Sequence, residues 1–493
     1  VAGQPTGLRA TGMSLATDGT LYVSYGDEPG PNGMKAGAVW KWDGASHAWT
    51  DITPERPAPP GAPGSHFGYA AVGVDPHDPA TVITSTWNRW EPREELFRST
   101  DAGRTWHPML ARSSWDHSTA LYTSSMTPHW ISDVEIDPFD PDHVRFTTGY
   151  GIWATNNASA SDRGEATHWT FDNQGLEETV PLTLISPTKG AHLISGLGDV
   201  DGFRHDDLAK SPTERFPGPR FKSTESLDYA ALAPARMVRS GLTYKMDRIH
   251  GAWSDDGAAT WHAFATLPPL PVESSPYPTG PVAISADGMT LFWTTHGNRP
   301  YRTTDHGASW QIMNGAPVDM VVVADRVNAT LIYGYDHNAG DLYVSTDAGR
   351  SFSKGDRALL SVPRRPWGGP LEAELRAVPD HEGELWFTAL GRLFHGTNRG
   401  AEWREHAEMH RVSSVGFGKA APGAAYPAVF VAAAFGTDDG LFRSDDAGVT
   451  WVRISDDSHR FGSARALTGD PRVFGRVYFA TGGRGIIYGD PAH

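Results

Sequence analysis

The sequence predicts an all-β chain built from about ten repeated four-strand units. Three observations carry that prediction. An eight-residue phrase, Ser/Thr-x-Asp-x-Gly-x-Thr-Trp, recurs along the 493 residues. The runs between its copies are short and rich in β-branched and aromatic residues, and none has the apolar spacing of a three-turn helix. Finally, 54 glycines and 37 prolines supply the punctuation that many short strands require.

Taken in chain order, the first clear strand is Thr20-Leu21-Tyr22-Val23-Ser24-Tyr25. A polar turn, Val74-Asp75-Pro76-His77-Asp78-Pro79-Ala80-Thr81-Val82, then separates two β-rich runs, and Ile136 through Val144 repeats it. A weaker echo runs from Ala324 to Leu331. The first copy of the phrase is Ser99-Thr100-Asp101-Ala102-Gly103-Arg104-Thr105-Trp106. A looser copy, Ser254 to Trp261, has its glycine one place early. Further copies run Thr303–Trp310, Ser345–Phe352, a degenerate Gly396–Trp403, and Ser444–Trp451. Between them lie strands such as Leu331–Tyr335 and Leu342–Ser345. The third positions at 256, 305, 347, 398 and 446 stand 42 to 51 residues apart. The gap from 101 to 256 holds three such units with two copies lost.

The phrases resemble the Asp boxes of sialidase-like and sortilin-like β-propellers. Their chemistry suits a turn. The Ser/Thr and Asp side chains can bond backbone amides, the glycine allows positive φ, and the tryptophan packs between sheets. The aspartates are read as turn residues, and Trp106, Trp261, Trp310, Trp403 and Trp451 as packing. Ten units exceed the four to eight of one propeller, so more than one ring is expected.

Composition narrows the function. The net charge is −16, which gives no electrostatic case for binding nucleic acid or an anionic membrane. The absence of cysteine excludes disulfides, zinc–thiolate sites and thiol nucleophiles. No apolar run approaches the length of a membrane-spanning helix. The chain opens at Val1 without a leader, so a removed leader or a fragment is expected, and the expected location is secreted. Eighteen tryptophans suit packing anchors and sugar-stacking faces.

The segment Leu193-Ile194-Ser195-Gly196-Leu197-Gly198-Asp199-Val200-Asp201-Gly202-Phe203-Arg204-His205-Asp206-Asp207-Leu208 is unlike any of these copies. It resembles the signature around one catalytic aspartate of glycoside hydrolase family 74, the xyloglucan-cleaving endo-β-1,4-glucanases and oligoxyloglucan exo-enzymes. Gly37–Trp42, Trp130–Pro138, Gly175–Thr179, Val415–Ala420 and Gly482–Gly489 resemble that family too, so the likeness covers essentially the whole chain.

The resemblance implies tandem seven-bladed β-propellers with the substrate cleft between them. On it, residues 1–125 are the C-terminal blades of a first, incomplete propeller. Residues 126–468 are the second propeller, and 469–493 are closing strands returning to the first. The reaction is inverting, with two carboxyl groups about 6.5–9.5 Å apart around a water. On the same resemblance, Asp199 would be the general acid. The base belongs to an early Thr-Asp-Ile-Gly-Gly-like stretch that this chain lacks. Asp27 and Glu28, in the loop at 26–33, are acidic and loop-borne and stand as candidates only on that ground. Asp201, where the family usually has glycine, could help raise the Asp199 pKa if both carboxylates face the cleft.

Substrate candidates are Trp87 and Trp90, in a loop resembling the family's aromatic platform, with Trp130, Trp153 and His205. For Trp130 and Trp153 the alternative is packing. His205 could bond sugar, orient Asp199, or be an ordinary surface histidine. Asp199-Val200-Asp201-Gly202 lacks the third acid of a calcium loop, so no metal or cofactor is expected. The expected protein is a monomer acting on xyloglucan or a related β-1,4-glucan. The competing reading is a non-catalytic glycan-binding propeller. A sialidase is disfavoured, since no Arg-Ile-Pro-like strand is present.

Overall fold

The computed structural model describes residues 3–176, 179–243, 250–269, 279–362, 372–462 and 464–491. Glu177 and Glu178, part of one segment resembling the family, lie outside these residues. The chain divides into two compact units, Val1–Glu178 and Thr179–His493.

Among the described residues the repeat becomes ten small sheets, nearly all antiparallel. The first unit holds three. One pairs Arg9–Leu15, Leu21–Gly26, Gly37–Asp43 and Ala48–Asp51 in chain order. The next pairs Gly68–Val74, Val82–Trp87, Leu96–Ser99 and His107–Pro108. The third runs from Val134–Asp137 to His168–Phe171, and the short strand Ser114–Asp116 adds parallel to its last strand. The second unit holds seven sheets of three or four strands, again in chain order. Its first is Pro181–Ile185, Leu193–Leu197 and Gly202–His205. Its last is Ala466–Gly469, Val477–Ala480 and Ile486–Gly489.

The expectation of tandem seven-bladed propellers is corrected here. Among the described residues the chain is all-β, but its sheets are separate meanders with open edges, and hydrogen bonding closes none of them into a ring or barrel. The repeat period fixes the size of a unit. It carries no information on closure, which depends on contacts between strands hundreds of residues apart.

The recurrent turn forms as its chemistry requires. In the first copy Ser99 Oγ accepts the Gly103 amide at 2.8 Å and donates to Asp101 Oδ1 at 2.8 Å. Asp101 accepts the Thr105 amide at 2.8 Å and its hydroxyl at 2.7 Å. The copies at Asp256, Asp305, Asp347 and Asp446 repeat the same bonds. Each turn joins the third and fourth strands of its sheet. In the loose copy the displaced glycine leaves Ala258 at φ +67, in the left-handed region. The other recurrent phrase turns between first and second strands: Asp75 accepts the His77 amide, and Asp325 those of Val327 and Asn328.

Most cores lie between successive sheets, and one lies between the first and last sheets of the second unit. In the first unit Trp153, Trp169, Phe146 and Phe171 interlock with Ile83 and Leu96. In the second, Ile194 and Ile185 pack on Leu227, Met237 and Trp261, and Leu184 and Leu193 on Ala466 and Tyr478. Gly196 shows how tight this is: a Cβ there would lie 2.6 Å from the Thr224 carbonyl oxygen.

Candidate functional site

Asp199 stands at the tip of the hairpin between strands Leu193–Leu197 and Gly202–His205. Its φ is +63 and that of Asp201 is +68. Two left-handed residues in one four-residue turn tighten the hairpin and carry strain of order 1–3 kcal/mol each. The neighbouring strand Ser223–Ala230 holds that tip down. The Asp199 amide donates to Ser223 Oγ at 3.1 Å, and the Asp201 amide to the Lys222 carbonyl at 3.0 Å. The Asp199 carboxylate points outward, 52% exposed, and Lys222 Nζ reaches its Oδ1 at 2.7 Å.

Asp201 does something other than the sequence suggested. Its side chain is 0% exposed and pairs with Arg239, itself 0% exposed. The carboxylate also accepts the Thr224 hydroxyl at 2.8 Å and the Phe221 amide at 3.2 Å. Arg239 in turn lies 4.3 Å over the Phe221 ring and 4.7 Å over Phe216. Burial pushes the Asp201 carboxyl up from its ordinary range and the Arg239 guanidinium down, while their mutual attraction opposes both. The expected pairing of two cleft-facing carboxylates is therefore corrected. Asp201 is the buried anchor of the hairpin that presents Asp199.

His205 ends the same hairpin. Its Nε2 lies 2.8 Å from Ser195 Oγ, across the strand pair, so its partner is Ser195 rather than Asp199. Burial holds its pKa down to about 4, which keeps the ring neutral.

The remaining candidates lie in the first unit. Trp87 closes strand Val82–Trp87, and its ring covers Gly30: a Cβ at Gly30 would sit 2.8 Å from the indole. That contact seats the loop bearing Asp27 and Glu28 against the tryptophan. Asp27 Oδ1 accepts the amides of Lys35 and Ala36, tying the ends of the loop together. Glu28 faces Arg9 at 3.9 Å in an exposed pair. Trp90 is 55% exposed, its indole N–H bonded to Asn88 Oδ1 at 3.1 Å. Its ring centre lies 6.0 Å from that of Trp130, edge to face, and 5.0 Å from that of His129. Trp153 is 2% exposed, with Trp115 4.8 Å and Phe171 5.1 Å from it. Both its faces are covered, so it packs the core and offers none to a sugar. Among the tryptophans of the repeated turn, Trp106 bonds the Ile52 carbonyl and Trp261 is buried, as packing residues should.

Lys222, Ser223, Arg239, His129 and Glu94 were missed by sequence reasoning. Lys222 and Ser223 act from the next strand, and Arg239 is 38 residues from its partner. No local pattern marks such pairings.

The two halves thus contain an exposed carboxylate on a braced hairpin and an exposed aromatic ledge. No family model matches the chain. A xyloglucanase from a Paenibacillus species is 39% identical over 520 residues, covering all of this chain and 49% of the relative. The oligoxyloglucan-reducing end-specific xyloglucanase of Emericella nidulans is 33% identical over 564 residues, covering 99% of the chain and 68% of the relative. The crystal structure of a family 74 xyloglucanase from Xanthomonas campestris superimposes with a TM-score of 0.87 at 44% identity, covering all of this chain and 68% of that one. The chain spans about half the length of the Paenibacillus relative. With a likeness that runs the full length of the chain in both sequence and structure, the chain belongs to glycoside hydrolase family 74.

Proposed function

We propose that this chain carries the acid half and part of the substrate cleft of a xyloglucan-hydrolysing endo-β-1,4-glucanase. The observation that carries the reading is the Asp199 hairpin: a solvent-facing carboxylate on a turn braced by Ser223 and by the buried Asp201–Arg239 pair. A general acid needs this combination of access and fixed position. In the proposed reaction Asp199 delivers a proton to the leaving glycosidic oxygen. A second carboxylate activates water on the opposite face of the sugar, giving inversion. Lys222 Nζ pairs with one of the two Asp199 oxygens. Trp90 and Trp130 offer ring faces to the glucan backbone, as sugar binding by stacking requires. Asp27 and Glu28 remain candidates for the base only as acidic, loop-borne residues.

Reducing-end release from xyloglucan tests this reading, with intact mass taken on the same sample. Turnover by this chain is expected to be far slower than that of a full-length relative, and Asp199→Ala lowers it by at least about a hundredfold. Robust turnover by the pure chain contradicts the acid-half reading, and turnover that Asp199→Ala leaves unchanged contradicts the role of Asp199.

A further inference from the structure

Glu94 follows the loop that carries Trp87 and Trp90, and its side chain is buried. One oxygen, Oε1, accepts three backbone amides: Asn88 at 2.8 Å, Arg89 at 3.2 Å and Trp130 at 3.3 Å. The other accepts the Thr86 hydroxyl at 2.7 Å. A single carboxyl therefore gathers two loops that lie about 40 residues apart in sequence.

What it gathers is strained. Asn88 has φ +71 and Trp130 φ +54, the left-handed region that non-glycine residues avoid. Such conformations persist only where the surroundings hold them, and they concentrate at functional sites. The result is the aromatic ledge: Trp90 standing out into solvent, pinned by Asn88 and set edge to face against Trp130. His129 fills the angle between them, 4.9 Å from Trp130 and 4.7 Å from Tyr150.

We infer that Glu94 is the positioning residue of this ledge: its carboxyl fixes where the indoles of Trp90 and Trp130 stand, and through them the affinity for a glucan chain. The inference rests on the proposed role of the ledge in binding sugar. Burial pushes the Glu94 carboxyl up to about 7, and both of its forms serve. Ionised, it accepts all four bonds. Protonated, it donates to Thr86 Oγ1 while Oε1 still accepts the amides. Glutamine reproduces the second arrangement. Its carbonyl accepts the amides and its NH₂ donates to Thr86, whose hydroxyl turns towards the Glu95 carbonyl at 3.5 Å. Aspartate is one methylene too short to span both loops, and leucine accepts nothing.

The test measures binding of a xyloglucan heptasaccharide to the whole 493-residue chain by calorimetry, beside ¹⁹F spectra of 5-fluorotryptophan protein. Trp90→Phe and Trp130→Phe assign the two resonances. Glu94→Gln is expected to bind within about twofold of wild type. Glu94→Asp and Glu94→Leu are expected to bind about tenfold more weakly, because a loosened support misplaces its site. In both, the Trp90 and Trp130 resonances shift or broaden while the other indoles hold theirs. Wild-type affinity in Glu94→Asp and Glu94→Leu, or unmoved ledge resonances, overturns the inference. Loss of affinity in Glu94→Gln equal to that in Glu94→Leu also overturns it. Trp90→Ala separates the two layers: unchanged affinity there removes the sugar-binding role of the ledge, while the ¹⁹F shifts still report on Glu94 itself.

Discussion

His205 illustrates how a side chain's surroundings decide its chemistry. Its ring is bonded to Ser195 and held at a pKa of about 4 against an ordinary 6.5. A histidine whose folded pKa is depressed takes its proton more readily in the unfolded chain. Its contribution to stability is complete above about pH 6.5 and is lost as pH falls towards about 4. The urea midpoint should therefore drop across that window, and His205→Gln, which cannot charge, should flatten part of the drop. An identical slope in the variant contradicts the assignment. At this scale the sequence was only partly legible. The segment around Asp199 could be singled out because it is continuous in sequence and resembles a family signature. Asp201 beside it could not, because its meaning comes from Arg239 on another strand. Trp153 sits in the run Gly-Ile-Trp-Ala-Thr, which is buried almost throughout, and its three consecutive apolar residues were the available signal for core. Glu94 gave no signal, since two adjacent glutamates before a strand look like ordinary surface.

The elements follow from turn chemistry, and that chemistry is local. The Ser-x-Asp-x-Gly-x-Thr turn is specified within eight residues, so its form and its place between third and fourth strands were readable. The Asp199 hairpin is another kind of element. Its tip is strained at two residues, and the energy holding it comes from the buried Asp201–Arg239 pair in the next sheet. Removing one partner of such a pair leaves a buried charge alone, at a cost of about 3–5 kcal/mol. Asp201→Asn should lower stability by that order in urea unfolding, and Asp201→Asn with Arg239→Met should recover much of it. A loss below about 1 kcal/mol in the single variant would show that the pair does not brace the hairpin.

At the scale of the whole molecule, the repeat length correctly implied about ten units, and ten sheets are present among the described residues. Ring closure was inferred from resemblance and is not what the hydrogen bonding forms. No period in a sequence states which distant edges meet. The same distinction applies to function. Family membership follows from similarity along the full chain, whereas the role of each carboxyl rests on the geometry of its own hairpin. The proposed transfer of a proton from Asp199 to the leaving oxygen is tested directly by leaving-group dependence. Asp199→Ala should lose about a hundredfold or more on xyloglucan, whose leaving oxygen needs protonation. On a 2,4-dinitrophenyl xyloglucan oligosaccharide, whose leaving group departs unprotonated, it should keep nearly the wild-type rate. Equal losses on both substrates would contradict the account, because Asp199 would then serve some step other than proton delivery.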